Sequence, residues 1–201
     1  EMGRQPIHHH TAARAELTHD QKSADLSERS MRAEMRDTLI SLLDAAGPSG
    51  YETEAATVWR QIAGGFADRI WGDIQGNSFA EIGAGGAPTV MLAGHVDEIG
   101  LMVHHVDDDG FVWVQGVGGW DPQVLVGQRV ELLTDAGPLM GVVGRKAIHL
   151  IRRDDGEKAV KLKDLWIDIG AKSGDEARAK VGIGDVAVIS SETLDLADDC
   201  L

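Results

Sequence analysis

Apolar residues recur along this chain in two rhythms, and the change from one to the other divides it. Over residues 31–46, Met31, Met35, Leu39, Leu42 and Leu43 fall on one face at helical spacing. Gly47-Pro48-Ser49-Gly50 ends that helix and predicts a turn. Residues 52–62 predict a second amphipathic helix, with Ala55, Val58, Trp59 and Ile62 on its inner face and Gly64-Gly65 as its stop. Residues 70–74 and 78–82 predict two strands around Gly76-Asn77. The apolar run Thr89-Val90-Met91-Leu92-Ala93 predicts a buried strand.

After Gly100 the rhythm shortens. Residues 101–106 and 111–115 predict a hairpin around Asp107-Asp108-Asp109-Gly110, because Asp-Gly suits a turn with positive φ. Further strands are predicted at 128–133, 139–144, 165–169 and 186–190, punctuated by Gly116, Gly118-Gly119, Gly127 and Gly137-Pro138. Short strands at this spacing predict a small barrel or sandwich. A short helix is expected over residues 173–181, with Ser173 as N-cap and Glu176 three positions later as its capping partner.

Composition narrows the function. Lys and Arg number 19 against 33 Asp and Glu, a net charge of −14, which opposes a nucleic-acid or anionic-membrane surface. Apolar residues make up 43% of the chain, enough for a sizeable core. The one cysteine, Cys200, excludes an internal disulfide and a thiolate metal cluster. No apolar run has the length of a membrane span and no signal peptide is visible, so the chain reads as cytoplasmic. Residues 1–30 are polar and contain His8-His9-His10; they read as a disordered leader or extension.

The candidate chemistry lies directly after the run at 89–93, in Gly94-His95-Val96-Asp97-Glu98-Ile99-Gly100. On an extended backbone, alternate residues point the same way, so His95 and Asp97 can share one site. Asp97 would then share a metal or fix the tautomer of His95. Glu98 would face away and cap a neighbouring element. His104 and His105 beside Asp107-Asp108-Asp109 read as a polar strand face and turn. His149 reads as structural, near a strand end. Gly118-Gly119-Trp120 is either a turn with a packed indole or a contact surface. Trp113, Trp120 and Trp166 serve the core or a subunit interface. The glycines of 83–86 and 116–119 lack the Lys-Ser/Thr ending and following helix of a phosphate loop.

Taken together, Gly47-Pro48-Ser49-Gly50-Tyr51-Glu52, Gly76-Asn77 and the stretch Ala93-Gly94-His95-Val96-Asp97-Glu98-Ile99-Gly100 resemble the M42 family of metallo-aminopeptidases. The resemblance continues, in order, through Val117-Gly118-Gly119-Trp120, Leu125-Val126-Gly127-Gln128-Arg129-Val130, Gly141-Val142-Val143-Gly144-Arg145-Lys146, Ile148-His149-Leu150, Asp164-Leu165-Trp166-Ile167-Asp168-Ile169-Gly170-Ala171 and Gly184-Asp185. It implies an α/β zinc-peptidase domain interrupted by a β-rich, barrel-like dimerisation domain. It implies two divalent metal ions, zinc or cobalt, and removal of N-terminal residues from peptides by homo-oligomers, dimers building to dodecamers. His95 would ligate one metal and Asp97 would be the catalytic residue that orients it.

On this basis residues 31–100 are expected to be the first part of the peptidase domain. Residues 101–190 would be the inserted module, and 191–201 the start of a truncated return. The family's remaining ligands and its general base lie downstream. Asp198-Asp199-Cys200 lacks the Arg of the bridging-Asp motif and reads as a loop before it. The chain is therefore expected to be an N-terminal segment, inactive alone and poorly soluble because it would expose a sheet edge. The competing functions are an endoglucanase-type glycan hydrolase, which needs two carboxylates and no metal, and a non-catalytic oligomerisation fragment.

Overall fold

The computed structural model describes residues 33–150, 159–197 and 200. The expected leader at 1–30 and the carboxylates Asp198 and Asp199 lie outside these. The chain divides into two compact units, Glu1–Thr38 and Leu39–Leu201. In the first, residues 33–38 are helical. The second begins with helical residues 39–43 and then the predicted turn at Gly47-Pro48-Ser49-Gly50.

Helix α1 (Thr53–Ala63) follows, carrying an acidic Glu54 in its first turn, where the helix dipole favours it. Its most deeply buried positions are Ala55, Ala56 and Ala63. The bulkier Val58, Trp59 and Ile62, expected inside, are only half-buried. Strands β1 (Arg69–Gly72) and β2 (Ser78–Glu81) form an antiparallel hairpin that packs on α1, where Arg60 Nη1 donates to Ser78 Oγ at 2.8 Å. Trp71 and Phe79, opposite each other in that ladder, stack at 5.2 Å.

The expected strand at 89–93 does not form: the residues are not in strand conformation, and Val90, Met91 and Leu92 are 76%, 80% and 95% exposed. The physical reason is the ladder. A strand exists only when neighbouring strands take up its N–H and C=O groups, and among the described residues none lies beside this run.

From Gly100 onward the chain closes a six-stranded antiparallel barrel. Its strands are β3 (Gly100–Val106), β4 (Val112–Val117), β5 (Arg129–Thr134), β6 (Gly137–Arg145), β7 (Leu165–Asp168) and β8 (Val186–Ile189). Around the barrel they run β3-β4-β7-β6-β5-β8, and β8 pairs back onto β3 through Leu101↔Ala187. Closure removes free edges. Alternation fills the interior: Leu101, Val103, Val112, Val114, Val130, Leu132, Val143, Leu165 and Ile167 all point in. On the outer wall Trp113 and Trp166 are cross-strand partners with centroids 5.5 Å apart, and Trp113 Nε1 donates to Asp107 Oδ2 at 2.9 Å.

The β3–β4 turn works as its sequence predicts. Gly110 sits at φ 94°, and a Cβ there would lie 2.9 Å from the Ser173 carbonyl oxygen. Helix α2 (Gly174–Arg178) packs at that point, capped by Ser173 Oγ accepting from Glu176 N at 3.3 Å. Glu176 returns its side chain to Lys172 N at 3.0 Å, one residue before the cap.

Candidate metal centre

The predicted site sits where the first turn meets the barrel entrance. Two segments cross there. Pro48 and Glu98 form an isolated parallel bridge, with Glu98 N donating to Gly47 O at 2.9 Å and Ser49 N to Glu98 O at 3.2 Å. The Glu98 carboxylate accepts from Gly47 N at 3.1 Å. Glu98 therefore caps the neighbouring turn, as expected of a side chain facing away from Asp97. Pro48 is fully buried against Gly100; a Cβ on Gly100 would lie 2.8 Å from Pro48 Cβ, so the turn seats on the barrel only because that position is glycine. Tyr51 adds a second tie, its hydroxyl donating to Gly184 O at 2.9 Å.

His95 and Asp97 come together as the spacing predicts. His95 Nδ1 lies 2.9 Å from Asp97 Oδ1 and 3.1 Å from the Asp97 backbone oxygen. A carbonyl oxygen only accepts, and so does an ionised carboxylate, so the proton between them belongs to Nδ1. In the neutral imidazole Nε2 then keeps its lone pair, the form in which a histidine ligates a metal. The other carboxylate oxygen, Oδ2, accepts a short hydrogen bond from Ser49 Oγ. The Asp97 carboxyl is held below the ordinary aspartate value of 3.8, first by the Ser49 hydroxyl, against an opposing pull from desolvation, and further by His95. The His95 side chain is 85% exposed and that of Asp97 37%. A metal ligand at this position would face outward from the described residues.

The remaining candidates separate cleanly. Among the described residues, no group of three or more His, Cys, Asp or Glu is arranged to hold a metal. His104 and His105 are exposed on β3 at a bulge. Asp107 accepts from Asp109 N, Phe111 N and the Trp113 indole, which is turn chemistry. His149 lies in an exposed 3-10 turn, Ile148–Leu150, after β6 rather than at a strand end. Trp120 is a packed indole: it lies against the core and donates to Gly100 O at 2.7 Å. Ser49 was legible only as part of a turn. Nothing local in the sequence ties it to Asp97.

An α-helix and hairpin leading into a closed six-stranded antiparallel barrel, with His95 held against Asp97 at the join, make this a mixed α/β protein. The model of the M42 glutamyl aminopeptidase family matches residues 76–201, and the chain belongs to that family. It is 38% identical over 144 residues to a lysyl aminopeptidase of Pyrococcus furiosus, covering 70% of this chain and 41% of that enzyme. A TET aminopeptidase from a marine-sediment Thaumarchaeota archaeon superposes with a TM-score of 0.78 at 31% identity, over 84% of this chain and 47% of the other. The TET1 peptidase of Pyrococcus horikoshii, which assembles into a tetrahedron or a large octahedral shell, matches with a TM-score of 0.68 at 34% identity, over 77% of this chain and 46% of its own. The chain spans less than half the length of the curated relatives it matches.

Proposed function

We propose that this chain supplies the first part of a metal-dependent aminopeptidase that removes N-terminal residues from peptides. The observation that carries the reading is the His95–Asp97 pair, in which Nδ1 faces the carboxylate at 2.9 Å and the exposed imidazole is turned outward, in a chain of the M42 family. His95 would hold one of two divalent ions, zinc or cobalt, and Asp97 would be the catalytic-site residue that fixes its tautomer. When bound, such ions polarise the peptide carbonyl and bring a water's pKa toward neutrality. The described residues offer no second ligand cluster, so the other ligands and the general base would come from sequence matching the other half of the relatives.

The domain reading accompanies this. The chain enters the barrel at Gly100 and leaves after Ile189. It then returns to the first segment, where Thr193 N and Oγ1 both bond to Asp44 Oδ1, at 3.2 and 2.7 Å. We read residues 31–100 and 191–201 as parts of one peptidase domain and 101–190 as a module inserted into it. The exposed run at 89–93 would become a strand when partner strands are supplied. The module would pair subunits into a dimer and larger homo-oligomers. The acidic charge suits a cytoplasmic protein with peptide substrates. Among the described residues no helix is long and apolar enough to cross a membrane.

The test is a side-by-side assay of amino-acyl anilides and cellulose, with and without chelator. It is run on the 201-residue chain and on a gene product extended to the length of the relatives. The extended protein is expected to cleave anilides in a chelator-sensitive way, and the chain alone to be inactive. Chelator-insensitive cleavage of cellulose would overturn the reading in favour of the glycosidase. Oligomers that neither bind metal nor hydrolyse anything, even when extended, would favour the non-catalytic assembly protein.

A further inference from the structure

We infer that Ser49 is a positioning residue for His95, acting through Asp97 from a turn fastened to the barrel. This rests on the reading of His95 as a metal ligand. Asp97 uses both carboxylate oxygens, Oδ1 toward His95 Nδ1 at 2.9 Å and Oδ2 toward the Ser49 hydroxyl. One bond to an exposed carboxylate leaves it free to turn about its own side-chain torsions. Two bonds from opposite sides fix its plane, and with it the direction in which it holds the imidazole.

Ser49 suits this role because its own position is set by the backbone. It follows Pro48, fully buried against Gly100, and its N–H donates to Glu98 O at 3.2 Å. Tyr51 N closes the turn on Pro48 O at 2.7 Å. Gly47, at the head of the turn, is clasped by Glu98 from both its backbone N–H and its carboxylate. The Ser49–Asp97–His95 chain thus links the barrel entrance to an imidazole whose side chain is 85% exposed. An exposed neutral imidazole in water is free to exchange tautomers, and the partner at one ring nitrogen decides which form persists. Ser49 steadies that partner.

A long-range proton–nitrogen NMR correlation of the metal-free, 201-residue chain tests this at a pH where the imidazole is neutral. The His95 signals are identified by their loss in His95→Ala. The native chain is expected to show His95 protonated on Nδ1. Ser49→Ala is expected to shift it toward the Nε2-protonated form, and Asp97→Asn to shift it further. Ser49→Thr, which keeps the hydroxyl, is expected to restore the native spectrum. Core methyl signals of Val103, Leu132 and Ile167 report whether each variant keeps its barrel. With the barrel signals intact, an unchanged tautomer in Ser49→Ala would overturn the inference, and so would a Ser49→Thr protein that behaves like Ser49→Ala.

A zinc titration of the same samples separates this from the ligand reading. Ser49→Ala is expected to weaken zinc at His95 by about tenfold, as loss of an outer partner of a metal ligand does. Zinc binding indifferent to His95→Ala would count against His95 as a ligand, while the tautomer result would still decide the role of Ser49.

Discussion

Leu132 in the barrel is fully buried, whereas Leu92, just before the site, is 95% exposed. The contrast runs through both regions. Every member of the main core cluster lies at Leu101 or beyond. Among the described residues before Gly100 the buried apolar positions are Ala45, Ala46, Pro48, Ala55, Ala56 and Ala63, while Phe66, Ile74, Ile82, Val90, Met91 and Leu92 stand out in solvent. A closed barrel finds every backbone partner and its whole core within itself. The helix and two-stranded hairpin before it enclose no such core, and their bulky apolar residues stay half-buried or exposed. The His95–Asp97 pair sits on the second kind of surface, braced against the first through Pro48 and Gly100.

Core truncation should break this comparison most sharply. Leu132→Ala is expected to cost about 2–5 kcal/mol, from lost burial and the cavity left behind. Leu92→Ala should stay within about 0.5 kcal/mol, as surface changes do. Denaturant midpoints followed by tryptophan fluorescence would measure both, and equal losses would show that residues 89–93 are packed after all.

Adding one methyl group should give a smaller version of the same contrast. At Gly141 a Cβ would lie 2.4 Å from Ile167 Cγ2, whereas at Gly94 it would meet nothing within 4 Å. Gly141→Ala is expected to cost about 1–3 kcal/mol through overpacking, and Gly94→Ala close to nothing. Thermal melts of the two variants would measure this.

The smallest effect is a matched pair of carboxyls, one in each region. Desolvation is the largest influence on Asp107 and pushes its carboxyl up, yet the Trp113 indole and the N–H groups of Phe111, Asp109 and Gly110 together hold it below 3.8. Asp97 is lowered chiefly by Ser49. For both, a depressed folded value means that the stabilising contribution is complete above the unfolded pKa near 3.8. It is lost as pH falls through the lower folded value. Carboxyl carbon NMR titrations should therefore place both midpoints below 3.8. Ser49→Ala should move only Asp97 back toward its ordinary value, and Asp107→Asn should flatten the acid limb reported by Trp113 fluorescence.

The barrel was legible in the sequence because its information is local. Strand alternation, the Asp-Gly turn and the Ser173 cap each lie within a few residues, and β3 at Gly100–Val106 differs by one residue from the predicted start. The run at 89–93 was misread for the opposite reason: hydrophobicity favours burial but does not supply the neighbouring strands a ladder needs, and among the described residues none pairs with this run. Within the site, the His-x-Asp spacing was enough to place His95 against Asp97. Ser49 could not be found that way, since its bond to Asp97 spans 48 residues and depends on the Pro48–Gly100 contact.

The most direct test of the account is a zinc titration of the chain followed residue by residue on the histidine ring nitrogens, because His8, His9 and His10 can bind metal by themselves and a bulk affinity would not separate them. The account predicts that zinc engages Nε2 of His95 as an incomplete, weak site, lost in His95→Ala, with His104, His105 and His149 unmoved. Tight, stoichiometric binding of two zinc ions that persists in His95→Ala would contradict it.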